Sequence, residues 1–171
     1  MVVQRATQPV YSGVPGPSAR ALRRGTERYL GANFNDVVYM SQPMISHHSF
    51  LTANNQTPYV IAMVDTSQGP VVVEVPPATP KAIFFGSVND AWMVPVVDIG
   101  PRGEDAGKGG KYLFLPPAYD GPVPEGYLVN RPLTHHVFVG LRPVAIGEGK
   151  QSDAVEYSKR LKVYPLAEAD D

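Results

Sequence analysis

Proline and glycine together make up about one fifth of this chain, with 18 prolines and 16 glycines among 171 residues. Proline removes a backbone hydrogen-bond donor and breaks the interior of a helix, and glycine weakens a helix through its backbone freedom. A bundle of long helices therefore cannot carry this sequence, whereas short strands separated by turns can. The composition predicts a mainly β fold.

Short apolar runs rich in β-branched residues recur from Tyr59 onward, and most are closed by proline or glycine. The strongest run, Val71–Val75, is followed directly by Pro76 and Pro77. Runs of this length and spacing are typical of the strands of a sandwich or barrel. Further strands are predicted over residues 59–64, 81–88, 92–99, 111–115, 127–130 and 135–142.

Helical patterns flank the strands. Ser18 is suited to cap a helix that continues through Tyr29 and ends near Gly31. From Ser152 onward, acidic residues come early and basic residues late, which matches the helix dipole and predicts a C-terminal helix. Residues 33–44 fit a helical face and a strand equally well.

The first 18 residues contain three prolines, two glycines and no periodicity. We predict that residues 1–18 form a flexible tail or are a remnant of the expression vector, and that residues 19–171 form a single domain. An excised fragment of a longer protein and a short single-domain protein both fit this length.

Composition excludes several classes of function. The net charge of −1 gives no overall field toward nucleic acid or anionic lipid. With no cysteine, the chain has no disulfide, thiolate zinc site or cysteine nucleophile. No apolar run approaches the roughly 20 residues of a membrane helix, and residues 1–8 lack the centre of a secretory signal.

Several short motifs follow one another in a fixed order. They are Leu51-Thr52-x-Asn54 with Tyr59, Asp65, Gly69-Pro70-Val71-Val72, Pro76-Pro77, Asn89-Asp90-x-Trp92, Asp98-x-Gly100-Pro101, Gly107-Lys108-Gly109-Gly110-Lys111-Tyr112-Leu113, Leu115-Pro116-Pro117, Val123-Pro124-x-Gly126-Tyr127 and Leu141-Arg142. None is specific alone, but in this order they resemble the bacterial domain of unknown function 1254, over about Phe34 to Pro165.

The resemblance implies a jelly-roll-like antiparallel β-sandwich, here with an N-terminal helical segment and a C-terminal helix. It also implies a frequently exported protein, often followed by a second β-rich domain, unknown function 1214, and it implies no known activity. Members commonly carry an acidic residue where Gln56 stands. A catalytic or ligand role of that acid in relatives would be lost here.

Four residues are candidates for a ligand-binding pocket: Asn54, Tyr59, Asp90 and Trp92. Polar groups before a strand suit a pocket rim, and a tryptophan beside a carboxylate suits a sugar or another ring. The structural alternatives are turn chemistry for Asn54 and a core tryptophan beside a capping carboxylate for Asp90 and Trp92.

Two other patterns are weaker. The four histidines form two pairs, His47-His48 and His135-His136. One histidine from each pair, together with a carboxylate such as Asp65, Asp90 or Asp98, would make a metal site. The spacing of these residues matches no metal motif. The Gly-rich segment 103–111 lacks the ending of a phosphate loop and precedes a strand, which indicates a flexible hairpin connection instead.

The sequence favours a binding or assembly module of unknown specific activity, which associates with itself or with a second β-rich domain. Low charge, at 18% of residues, and Val-rich strands support this hypothesis. The alternative is a small-ligand-binding protein or hydrolase-like enzyme that uses the four candidate residues, and a His/carboxylate metalloprotein ranks third. We predict no catalytic residue, no metal and no cofactor.

Overall fold

The computed structural model describes residues 2–47 and 54–169 of the chain. Two helices come first, α1 (Val2–Gly13) and α2 (Pro15–Leu30), and a third, α3 (Gln151–Ser158), lies near the other end. The strands are β1 (Val37–Tyr39), β2 (Val60–Asp65), β3 (Val71–Val75), β4 (Ala82–Asp90), β5 (Pro95–Ile99), β6 (Gly110–Phe114), β7 (Leu128–Asn130), β8 (His136–Ala145) and β9 (Lys162–Pro165).

The strands form two sheets. The five-stranded sheet has the order β1-β2-β8-β4-β5 and the four-stranded sheet has the order β7-β6-β3-β9. Described neighbours pair in antiparallel fashion, except that β6 and β7 are parallel. Their connection, residues 115–127, has the length that a parallel crossover requires.

Both sheets contribute to one core. Valines dominate it because β-branched side chains pack well against a pleated surface. Alternate residues of each strand face inward, and the others face outward. The inward set includes Val60, Val64, Val71, Val73, Phe84, Val88, Tyr112, Phe114, Val137 and Leu141.

Strand β3 buries valines on both of its faces, which makes it central to the packing. Val71 and Val73 enter the shared core, while Val72 belongs to a second buried cluster with Leu113 and Leu115. Tyr119 and other aromatic side chains pack against that second cluster. The four-stranded sheet is therefore covered on both sides.

The prediction of a mainly β fold with a helix near each end is confirmed. A jelly-roll order of connections stays a prediction. Residues 33–44, which fitted helix and strand equally, contain strand β1. Gly31 ends α2 in the left-handed conformation, with φ 69°, as a C-terminal glycine does.

Two elements differ from the predicted ones. The strand predicted over 92–99 begins only at Pro95, because Asp90 holds residues 92–94 in a turn. The C-terminal helix ends at Ser158, and β9 follows because its backbone pairs with β3. The charge pattern of these residues indicated a helix, so the short edge strand β9 was not predicted.

The N-terminal region is helical where an irregular tail was expected. Helix α2 begins at Pro15, so Ser18 does not cap it; its hydroxyl donates to the Val14 carbonyl inside the helix. Pro15 and Pro17 lie in the first turn, where no backbone donor is needed. The predicted boundary at residue 18 thus falls within α2. Flexibility of residues 1–18 and the single-domain assignment of 19–171 stay predictions.

Substitution of Phe84 tests the shared core. Phe84 is 2% exposed and Phe85, its neighbour on the same strand, is 54% exposed. We expect Phe84→Ala to lower the free energy of unfolding by about 3–5 kcal/mol through lost burial and a cavity. Phe85→Ala is the matched control and should cost less than about 1 kcal/mol. Equal costs in urea unfolding would contradict the assignment of faces.

The buried tyrosines predict alkaline destabilisation. Burial raises the pKa of Tyr157 to about 12, and burial also raises the pKa of Tyr112 and Tyr164. Because an unfolded tyrosine titrates near pH 10, the unfolded chain loses protons first. Stability is therefore complete below about pH 10 and falls as pH rises toward the folded pKa values.

Urea unfolding between about pH 9 and 12 measures this loss, since that range spans the ordinary tyrosine pKa. We expect Tyr157→Phe to reduce the slope of stability against pH, whereas Tyr11→Phe, at a residue 75% exposed, should leave it unchanged. A slope equal to that of the wild type in Tyr157→Phe would show that another group titrates.

Candidate functional site

Asn54 and Tyr59 lie close together before strand β2. The Asn54 amide donates to Thr57 Oγ1 at 2.8 Å and lies 3.5 Å from the Tyr59 hydroxyl. Its Oδ1 accepts the backbone N–H of Gln56 at 2.8 Å, which is an Asx turn. The guanidinium of Arg142 lies over the Tyr59 ring. These contacts match the turn chemistry proposed as the alternative for Asn54.

Asp90 and Trp92 form a turn between β4 and β5. The Asp90 carboxylate is buried and accepts the backbone N–H groups of Trp92 at 2.8 Å and Val94 at 3.0 Å. Met93 completes the turn with a positive φ of 61°. Trp92 itself is 54% exposed, so the expected alternative of a core tryptophan is wrong. Asp90 holds the backbone and leaves the indole at the surface.

The four candidates do not surround one cavity. Tyr59 precedes Val60, which pairs with Leu141 on β8, whereas Asp90 pairs with Val137 on the same strand. Strand residues rise about 3.4 Å each, so the two pairs lie roughly 14 Å apart along the sheet. Of the four residues, Trp92 alone lines a described cavity of the size of a ligand site. Ligand binding by the others stays a prediction.

That cavity lies between α2 and the outward face of the five-stranded sheet, and its volume is 640 Å³. The helix supplies one wall and the sheet the other. Its described lining residues are Gly16, Ala19, Arg20, Arg23, Arg24, Glu27, Phe34, Met63, Ala91, Trp92, His136, Val137 and Phe138.

The helix wall follows directly from sequence spacing. Lining residues of α2 recur three and four positions apart, and such residues share one helix face. Three arginines and one glutamate therefore point to the same side. This face of α2 shows no apolar stripe, because its longest side chains are charged. The signal that identifies it is the spacing of Arg20, Arg23, Arg24 and Glu27.

Arg23 connects the helix to the rest of the domain. Its Nη1 donates to the Ala32 carbonyl at 3.2 Å and to Glu27 Oε2 at 3.3 Å, and its guanidinium lies 4.3 Å from the centre of the Phe34 ring. The side chain is 13% exposed. Its Nε is buried and has no hydrogen-bond partner in the described chain. One donor of a nearly buried cation is thus unused.

Aromatic side chains complete the cavity. Phe34 stacks on His136 with 4.7 Å between ring centres, and His136 Nε2 lies 3.7 Å from Asp65 Oδ1. Trp92 reaches the start of α2, where a Cβ added to Gly16 would lie 3.1 Å from the indole. Glycine at this position lets the helix approach the tryptophan closely.

The contact between His136 and Asp65 gives the metal hypothesis only two of the three ligands that it requires. Within residues 2–47 and 54–169 no three histidine or acidic side chains form a group that could hold a metal ion. Of the first histidine pair, His47 belongs to no such group, and His48 lies outside the described residues.

The Gly-rich segment binds its own carboxylate. Asp105 is buried and accepts the N–H groups of Gly100 at 2.8 Å and Gly109 at 3.0 Å. Gly109 has a φ of 71°, a conformation that glycine adopts without strain. These amides are therefore not available to a phosphate. The segment joins β5 to β6 in the other sheet, so the expected hairpin connection is wrong.

Substitution of Asp90 tests how the turn positions Trp92. We expect Asp90→Ala to lower the free energy of unfolding by about 1–3 kcal/mol, because two backbone donors lose their acceptor. Asp90→Asn keeps one acceptor oxygen and should retain most of the stability. Urea unfolding and the NMR signal of the Trp92 indole report the two effects. Equal behaviour of both variants would contradict the role of the carboxylate oxygen.

Comparison with known proteins identifies relatives by sequence and fold. The sequence profile of the family described as "Protein of unknown function (DUF1254)" matches residues 34–165. Among solved structures, the VPA0106 protein from Vibrio parahaemolyticus matches with a TM-score of 0.70 and 20% identity. The match covers 92% of this chain and 37% of that chain. No curated protein matches.

At 20% identity the structural likeness shows the fold alone. This chain spans 37% of the length of that solved relative. Among the described residues, no helix is both long and apolar enough to cross a membrane.

Proposed function

Because this chain belongs to the DUF1254 family, whose function is unknown, we propose from its own geometry that it is a binding module that holds a small molecule between α2 and the five-stranded sheet. The observation that carries the proposal is the cavity of 640 Å³. Ligand sites of proteins commonly have about 300–1,000 Å³. Asn54, Tyr59 and Asp90 do not line this cavity, and Trp92 does.

The cavity has the composition of a ligand site. Phe34, Phe138 and Trp92 provide aromatic surface, and a few charged groups on α2 provide direction. Apolar walls with a small number of polar groups are the usual combination in sites that bury a small molecule. An exposed tryptophan in a cavity offers a flat surface on which a ring can stack.

Binding is the function that the cavity supports best. The described lining residues include Glu27 and His136 as proton acceptors, and no serine, threonine, cysteine or lysine nucleophile. Nucleophilic catalysis needs such a group within hydrogen-bond reach of a base. Among the described lining residues, the hydrolase-like alternative therefore lacks a covalent nucleophile, and its chemistry would rest on activation of water by Glu27 or His136.

Trp92 is the single tryptophan of the chain, so its indole N–H gives one resolved NMR signal inside the cavity. Naphthoate and its neutral amide serve as flat probes of suitable size. We expect at least one to shift the Trp92 signal in a saturable manner. Ala19→Leu should weaken binding, because Ala19 lines the cavity and the larger side chain occupies part of it.

Ala21→Leu is the matched control, since Ala21 lies on the same helix and is not a lining residue of this cavity. It should leave the titration unchanged. Absence of any shift with both probes, or an affinity that is unchanged in Ala19→Leu, would contradict binding in this cavity.

Self-association is a second candidate function, supported by a different surface. Tyr29, Leu30 and Tyr39 are 78%, 63% and 42% exposed, and Leu30 and Tyr39 line a common groove beside the edge strand β1. Large apolar side chains grouped in this way are typical of contact surfaces. We propose a second copy of this chain as the partner, with a separate β-rich domain as the competing occupant.

Sedimentation velocity tests this second candidate. We expect a concentration-dependent dimer that Leu30→Ser weakens, because the substitution removes apolar contact area. Val10→Ser changes a residue that is 65% exposed on α1 and serves as the control. A monomer at all concentrations would contradict self-association and leave the groove to a different partner.

A further inference from the structure

We propose that the ligand of the cavity between α2 and the sheet is an organic anion, with a carboxylate or phosphate attached to a flat apolar body. This inference rests on the binding function proposed for the same cavity. It adds the charge of the ligand and the residue that receives it, Arg23.

The charge of the helix wall favours an anion. Arg20, Arg23 and Arg24 carry three positive charges, and Glu27 carries one negative charge. Arg20 and Arg24 are exposed and form no ion pair with any described residue. Positively charged side chains that line a concave, partly apolar surface raise the local concentration of anions.

Arg23 is the group best suited to receive the anion. A guanidinium presents five N–H donors in a fork that matches carboxylate and phosphate oxygens. In Arg23 the buried Nε–H has no acceptor, and Nη1 shares its contacts between Ala32 and Glu27. A buried donor without a partner is costly, so an additional acceptor in the cavity is favourable.

The contact between Arg23 and Glu27 is the one that a ligand can replace. Glu27 is 58% exposed, and its oxygen lies 3.3 Å from Nη1. Because the Glu27 end of this ion pair is exposed to solvent, the contact is screened and contributes little stability. An incoming carboxylate can take over this position as the guanidinium turns toward the cavity and offers Nε–H and an Nη–H together. Glu27 therefore acts as an internal competitor of the ligand.

The opposite end of the cavity fits the body of such a molecule. Trp92 is half-exposed and is held in position by the turn at Asp90. Phe34 stacks on His136 and lies beneath the Arg23 guanidinium, which brings aromatic and cationic groups together. A flat apolar group against Trp92 would leave its acidic group near the arginines.

The test compares three probes of the same flat body: naphthoate, naphthyl phosphate and the neutral naphthamide. Dissociation constants are taken from calorimetry, and the Trp92 indole signal shows that binding occurs in the cavity. We expect one or both anions to bind at least about tenfold more tightly than the amide, since hydrogen bonds to charged groups are the stronger ones. The ratio of the two anions distinguishes a carboxylate ligand from a phosphate ligand.

Variants of α2 assign the preference to Arg23. Arg23→Gln should remove most of the difference between anion and amide. Glu27→Gln should tighten anion binding by about two- to fivefold, because it removes the competing carboxylate. Arg28→Gln removes the same charge from the same helix outside this cavity, and it should leave the preference nearly intact.

Thermal unfolding first verifies that each variant is folded. If Arg23→Gln is not folded, Arg20→Gln replaces it, since Arg20 is exposed and lines the cavity; it should lower the preference for the anion. Equal affinities of amide and anions, or an unchanged preference in the folded Arg23 variant, would overturn the anion inference while leaving the binding function intact. Failure of all three probes to shift the Trp92 signal would overturn both.

Discussion

Burial of valine-rich strands between two sheets is the constraint on which the rest of this structure depends. Strand β3 is the clearest expression of it, because Val71 and Val73 enter the shared core while Val72 packs on the other side. Loop residues cover that other side of the four-stranded sheet. Helix α2 instead faces the outward side of the five-stranded sheet, and the cavity lies between them.

Local backbone contacts then determine which side chains line the cavity. The Asp90 carboxylate captures two backbone donors and leaves Trp92 at the surface instead of in a strand. The close approach at Gly16 lets α2 meet that indole. Arg23 spans helix, following loop and Phe34, so the cationic wall is tied to the domain.

Strands were predictable because β-branched runs bounded by proline or glycine leave few other conformations, as at Val71–Val75. The turn at Asp90 was not, because the following Trp-Met-Val continues an apolar run, and contacts of the Asp90 carboxylate and backbone redirect it. Proximity of Asn54 and Tyr59 was inferable from local spacing. Their distance from Asp90 depends on strand register, which a single sequence does not specify. The cavity depends on how α2 packs against the sheet. The spacing of the arginines shows that they share one face of α2, but it does not show which surface that face contacts.

The central claim is that a flat anion lies between Trp92 and Arg23 over the outward face of the sheet. Intermolecular nuclear Overhauser effects from bound naphthoate measure this most directly. The account predicts contacts from the naphthyl protons to the side chains of Trp92, Phe34 and Ala19, which all line the cavity. Contacts confined to the groove beside Leu30 and Tyr39, or to the opposite face of the domain, would contradict it.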